Sequence, residues 1–287
     1  METFEYQDVL IRYLRAGAGD PLVLLHNGGT SHAIWRDVIP LLDGYEVFAL
    51  DLLGFGESSK PERGYELERY VTILAAFIEA HGLAPAFLAG NCMGSAMSLA
   101  YAMQRPSAVR AMVLSNTLTT RTFAKGLYGP MLGLPRRAPA LLAGMSKVRL
   151  GSWLGKYGVR SQLGRHGRER RVHERPELCA AYSGAAQSRA LLGVLADIPS
   201  YAMLDSFAPP AGFPPICTIW GLENRVLRAT EGRALVSTLR PARQEWLEGC
   251  GHLPMLEQPE RVASILREFF ASASASEVGE ESEASEA

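Results

Sequence analysis

Short apolar runs alternate with stretches of helical spacing over the first 115 residues. Val9 to Arg15 reads as an early strand, and Pro21 to His26 as a buried strand ending in a polar turn. Ile34, Val38 and Leu41 recur at helical spacing, so a helix is predicted over 31–42 with Ser31 as its N-cap. Tyr45 to Leu50 is a strand again, followed by a Gly/Ser/Pro-rich loop over 51–61. A helix is predicted over 67–81, ended by Gly82. Strand 86–90, helix 93–104 and strand 109–115 complete the series. This βαβα rhythm predicts an α/β fold with a mostly parallel sheet and helices on both faces.

The rhythm stops near Leu118 and resumes at Pro215 with strand 215–220, helix 230–239, strand 244–247 and helix 259–270. The intervening stretch is rich in Gly, Ala and Arg, looks helical, and is broken by Pro130, Pro135 and Pro139. It reads as an inserted helical cap. The expected organisation is a core of 1–117 and 211–270, a cap over 118–210, and a disordered acidic tail over 271–287 with little to bury. No internal repeat is present.

With 287 residues, 47% of them hydrophobic, the chain is long enough for one large core plus an insertion. Its 29 basic and 30 acidic side chains argue against a general nucleic-acid binder. The acidic N-terminus is no signal peptide, and the apolar runs are too short to span a bilayer. Cys92, Cys179, Cys217 and Cys250 lack CxxC spacing, so neither a zinc site nor a disulfide framework is signalled. The expectation is a soluble, cytoplasmic, reduced protein without metal or cofactor. Gly28-Gly29 lacks the further glycine spacing of a dinucleotide site.

The most informative segment is Gly90-Asn91-Cys92-Met93-Gly94, lying between a strand and a helix. A sharp strand-to-helix turn needs small residues two positions either side of the residue it lifts out, and Gly90 and Gly94 meet that need. Cys92 then sits at a helix N-terminus, where an anion is favoured and a thiol is expected to ionise more readily. A lone cysteine in an apolar turn is more ordinarily buried and inert. Further motifs decide between these readings. They are His26-Asn27-Gly28-Gly29, Asp51-Leu-Leu-Gly54-Phe55-Gly56-Glu57-Ser58, Trp220-Gly221-Leu-Glu-Asn224 and Gly251-His252-Leu-Pro254-Met-Leu-Glu257. In this order and spacing they resemble the oxyanion loop, glycine turn, acid loop and histidine loop of the α/β-hydrolase superfamily.

The resemblance implies that Cys92 is the nucleophile and His252 the general base, then acid. It implies an oxyanion hole from the backbone N–H groups of Gly28 and Met93. His26 and Asp51 read as braces. The chain departs from the family twice, with Cys92 for serine and Asn224 for aspartate. The two fit each other, since a thiolate–imidazolium pair needs less support and an asparagine can orient the ring. Glu223 and Asn116 are rival candidates for that orienting position. A decayed site, in a small-ligand binding protein of this fold, is the competing class.

The cap carries Arg136, Arg137, Lys147, Arg149, Lys156, Arg160, Arg165, Arg168, Arg170, Arg171 and Arg175 against three glutamates. A solvated face is the ordinary reading; a docking face for an acyl carrier protein or a coenzyme A thioester is the sharper one. Leu132, Leu134, Leu141, Leu142, Trp153, Leu191, Leu192 and Leu195 either line an acyl pocket or pack the cap. The expected activity is acyl transfer through acyl-Cys92, resolved by hydrolysis, transfer or cyclisation. Cys92 and the late His252 resemble cysteine-dependent Dieckmann-type cyclases. Dienelactone hydrolases, which are smaller and lack such a cap, fit less well.

Overall fold

The computed structural model describes residues 1–133, 152–180 and 184–286. Of the cap residues singled out above, Leu134, Pro135, Arg136, Arg137, Pro139, Leu141, Leu142, Lys147 and Arg149 lie outside these, as does the Trp153 side chain.

Eight strands form one sheet in the order β1-β2-β4-β3-β5-β6-β7-β8. β1 (Glu2–Tyr6), β2 (Val9–Gly17) and β4 (Tyr45–Leu50) pair antiparallel in that order. The remaining neighbours pair parallel: β3 (Asp20–Leu25), β5 (Ala86–Asn91), β6 (Val109–Ser115), β7 (Ile216–Gly221) and β8 (Arg243–Leu247). Burial follows topology. β2, near the edge, alternates buried and partly exposed positions, whereas β5 and β7 are buried throughout because helices cover both faces.

The period of two divides the core. Val23, Leu25 and Leu88 face one apolar cluster, together with Tyr70, Leu74 and Phe77 of α1 (Leu67–Ala80) and Met97 and Tyr101 of α2 (Met93–Gln104). Leu22, Leu24, Phe87 and Ala89 face the other, with Trp35 and with Val262, Leu266 and Phe270 of the last helix. Phe87 stacks on Phe270 with centroids 4.4 Å apart.

Two points of the sequence reading are corrected. β1 escaped notice because it is mostly exposed at the sheet edge. The 31–42 segment forms two short 3₁₀ turns, His32–Trp35 and Ile39–Leu41, with Pro40 interrupting a longer helix; Ser31 does cap the first, its side chain accepting from Ala33 N at 3.3 Å. The last helix runs Pro259–Glu286. Alanine and glutamate are good helix formers, and extending a formed helix is far easier than nucleating one.

Between β6 and β7 the chain leaves the sheet. The described part of this excursion is helical: α3 (Thr120–Ala124), α4 (Ser152–Gln162), α5 (Arg165–Glu169), α6 (Pro176–Ala180), α7 (Ala185–Asp197) and α8 (Ala202–Asp205). No described helix is long and apolar enough to cross a membrane.

Candidate active site

Cys92 occupies the turn between β5 and α2 with φ +54° and ψ −107°, a conformation that costs free energy for a side chain bearing Cβ. The surroundings over-determine it. A Cβ on Gly90 would strike the backbone of Gly94 and Ser95, and one on Gly94 would strike Leu25. Cys92 N donates to Ser115 O at 2.9 Å, and its carbonyl accepts from Ala96 N at 3.1 Å and Leu118 N at 3.2 Å. The turn has the sharp strand-to-helix geometry read from the glycine spacing.

The thiol differs from expectation. Burial pushes its pKa up to about 12, and the Met93 N–H directed at it offsets only part of that. Cys92 is 8% exposed, so the dry surroundings outweigh the helix N-terminus and the resting sulfur is a neutral thiol.

His252 follows β8 and is 2% exposed. Burial lowers its pKa to about 3, so the ring is neutral, and no thiolate–imidazolium pair rests here. No hydrogen bond joins the Cys92 thiol to the His252 ring among the described residues. The backbone of His252 is held on both sides. Its N–H donates to Gln162 O of α4 at 2.7 Å, and its carbonyl accepts from Asn91 Nδ2 at 3.1 Å and Asn116 Nδ2 at 3.3 Å. Glu257, 1% exposed, braces the same loop. Oε1 accepts from Gly251 N (2.9 Å) and Leu253 N (3.2 Å), and Oε2 from Gly164 N (2.8 Å) and Gly167 N (3.3 Å). One buried carboxylate thus ties the cap to the histidine loop.

The ring itself has no orienter among the described residues, where His252 Nδ1 is buried and without a partner. Asn224, expected to fill that role, turns elsewhere: Nδ2 donates to Asn116 Oδ1 at 2.9 Å, and Oδ1 accepts from Val226 N (3.0 Å) and Leu227 N (3.1 Å). Glu223 is turned to the cap, accepting from Arg165 N at 2.9 Å and Arg168 Nη2 at 3.1 Å. Asn116, with φ +45°, also accepts from Gly221 N at 3.2 Å. The three asparagines therefore form a network that fixes the loop backbones and, among the described residues, gives the imidazole no partner. Asn91, inside the motif, was not singled out from sequence.

The oxyanion loop is internally braced. His26 Nε2 accepts from Leu52 N at 2.8 Å and Nδ1 donates to Asn27 O at 2.7 Å; burial lowers its pKa to about 4, so the ring is neutral and structural. Asp51 accepts from His32 N, His32 Nδ1 and Glu57 N at 2.7–2.8 Å. Both are the braces expected. Gly28 N–H donates to no group among the described residues, and a Cβ there would lie 3.4 Å from Leu191 of α7. Cap and loop therefore meet at Gly28.

Two residues near Cys92 went unnoticed in the sequence. Tyr201, at the end of the 3₁₀ turn Ile198–Tyr201, is fully buried, as is Thr117, and neither hydroxyl has a partner among the described residues. No sequence motif marks either one.

Residues 20–259 match the alpha/beta hydrolase fold family. The chain belongs to that family. Haloalkane dehalogenase 2 of Mycobacterium tuberculosis is 27% identical over 271 residues, 91% of this chain and 91% of that protein. The 2-hydroxy-6-oxo-6-(2'-aminophenyl)hexa-2,4-dienoic acid hydrolase of Metapseudomonas resinovorans is 41% identical over 108 residues, 36% of this chain and 37% of that protein. A haloalkane dehalogenase of Bradyrhizobium diazoefficiens is matched over 33% of its length, so these two are covered for about a third of themselves. Among solved structures, an esterase from Thermogutta terrifontis has a TM-score of 0.76 at 21% identity, covering 92% of this chain and 94% of that one. The meta-cleavage product hydrolase CumD reaches 0.75 at 22%, covering 94% and 98%. At such identities the likeness establishes the fold.

Proposed function

We propose that this α/β-hydrolase-family protein is an acyl-transfer enzyme that forms a thioester on Cys92. The observation that carries the reading is the elbow itself: a strained, buried Cys92 with the Met93 N–H directed at its sulfur. The relatives named above are hydrolases, which supports cleavage of a substrate at this position. Sγ attacks the carbonyl of a thioester or ester as the bond to the leaving group breaks. The thiol proton passes through His252 to the leaving thiolate or alkoxide. Oxyanion charge falls on the Met93 and Gly28 N–H groups. Because thiol and imidazole both rest neutral, proton transfer and attack proceed together. Water then returns the acid and regenerates the thiol, or a nucleophile elsewhere in the acyl chain closes a ring. A thioester donor suits a cysteine, since one C–S bond replaces another.

An acyl carrier protein or coenzyme A fits the cap's remaining cations. Arg168, Arg171 and Arg175 already pair with Glu223, Glu174 and Asp37 at 2.6–3.1 Å. Lys156, Arg160, Arg165 and Arg170 hold no carboxylate among the described residues.

The unpartnered His252 Nδ1 favours a second reading, a small-ligand binder without catalysis. Intact-mass measurement after incubation with a panel of acyl thioesters separates the two, with Cys92→Ala as control. An adduct that requires Cys92 supports the enzyme; its decay to free acid marks a hydrolase and its persistence a transferase or cyclase. No adduct with any donor leaves the binder.

A further inference from the structure

Tyr201 is pinned beside Cys92 by a chain of contacts. Leu118 N donates to Cys92 O at 3.2 Å, so the segment after β6 runs alongside the elbow. Over the next three residues, Thr119 Oγ1 donates to Asp205, Thr120 Oγ1 donates to Ile198 O at 2.6 Å, and Arg121 N donates to Asp205 Oδ2 at 3.1 Å. Ile198 and Asp205 bracket Tyr201, which shares the apolar cluster of Cys92, Leu118, Leu195 and Leu204. Its neighbour Tyr70 donates to Leu53 O at 2.9 Å. Tyr201 has the same burial and no acceptor among the described residues. Buried tyrosines ordinarily find a partner, because an unsatisfied hydroxyl forfeits its hydration for nothing. Burial, Asp197 and Cys92 hold the phenol well above its ordinary pKa, so it remains a donor at any working pH. Thr117, on the stretch between the two Cys92 backbone contacts, is a second buried hydroxyl without a partner among the described residues.

We infer that Tyr201 is a substrate-binding residue that donates its phenolic hydrogen to a second oxygen of the acyl group held at Cys92. The substrate class is then an acyl donor bearing a keto or hydroxyl oxygen near the reacting carbonyl, in place of a plain alkyl chain. This deepens the acyl-transfer reading and rests on Cys92 being where the acyl group sits.

The test compares the S-acetoacetyl and S-butyryl thioesters of N-acetylcysteamine, in wild type and Tyr201→Phe, by the rate of Cys92 acylation in intact-mass spectra. One neutral hydrogen bond corresponds to about a 3- to 10-fold effect. The variant should lose that factor with acetoacetyl and be unchanged with butyryl. In parallel, the Cys92→Ala protein, with and without Tyr201→Phe, is titrated calorimetrically with the corresponding amides, the N-acetoacetyl and N-butyryl derivatives of N-acetylethylenediamine, which cannot react. The oxygen-bearing ligand alone should weaken in the double variant. An equal loss with both chains, no loss with either, or no binding of the acetoacetyl amide overturns the inference. Selective binding without any acylation in wild type upholds Tyr201 and instead removes the covalent mechanism.

Discussion

Two buried neutral imidazoles should make this protein acid-labile. His252 has its pKa lowered to about 3 and His26 to about 4, against 6.5 in an exposed chain. A folded-state pKa below the unfolded value means that the unfolded chain binds the proton first. The stabilisation is complete above pH 7 and is lost as pH falls through 6.5 toward 3 or 4. Moving from pH 7 to pH 5 lowers the unfolding free energy by about 2 kcal/mol for each ring, or about 4 together. That is a large part of the roughly 5–15 kcal/mol of a typical domain. Urea unfolding followed by tryptophan fluorescence at pH 7, 6 and 5 reads the loss directly, against a His26→Asn/His252→Gln variant. The variant starts less stable, because Leu52 N loses its acceptor, but its pH slope should be flatter by about 4 kcal/mol over that range. Parallel slopes for the two proteins would refute the argument.

Cys92 should alkylate slowly with iodoacetamide at pH 7 and faster at each step to pH 10 without a plateau, since burial raises its pKa; rapid labelling at pH 6 would indicate an ion pair instead. Asn224→Ala removes the acceptor of Val226 N and Leu227 N and should cost about 2 kcal/mol in urea while leaving the His252 imidazole titration, read by NMR, where it was. A shift of that titration would restore Asn224 as the ring's orienter. Glu257→Gln turns one oxygen that accepts two N–H groups into a donor, so a loss of about 2–4 kcal/mol and faster proteolysis of the cap are expected. Gly94→Ala drives a methyl into Leu25 and should destabilise by about 3 kcal/mol or leave the chain insoluble, measured by denaturant midpoint and yield.

Strand and helix periodicity made the parallel sheet legible, and the motif spacing made the elbow and the histidine loop legible, because each is a local steric requirement. Gly90 and Gly94 are needed wherever the backbone passes that close, and a buried parallel strand must be apolar on both faces. The exposed β1 and the broken 31–42 segment were less readable, since edge pairing and a single proline leave weak patterns.

Electrostatic state and side-chain partners depend on residues far apart in the chain. Sequence alone puts Cys92 at a helix N-terminus and argues for an ionised thiol; only the packed structure supplies the desolvation that reverses the sign. Sequence alone makes Asn224 the first candidate to orient His252, with Glu223 and Asn116 as rivals, yet in the fold the Asn224 amide is taken by Asn116, Val226 and Leu227. Tyr201 carries no motif and matters through what burial denies it. Local sterics write themselves into residue spacing, whereas protonation and hydrogen-bond partnership are settled by which distant groups the tertiary fold leaves within reach.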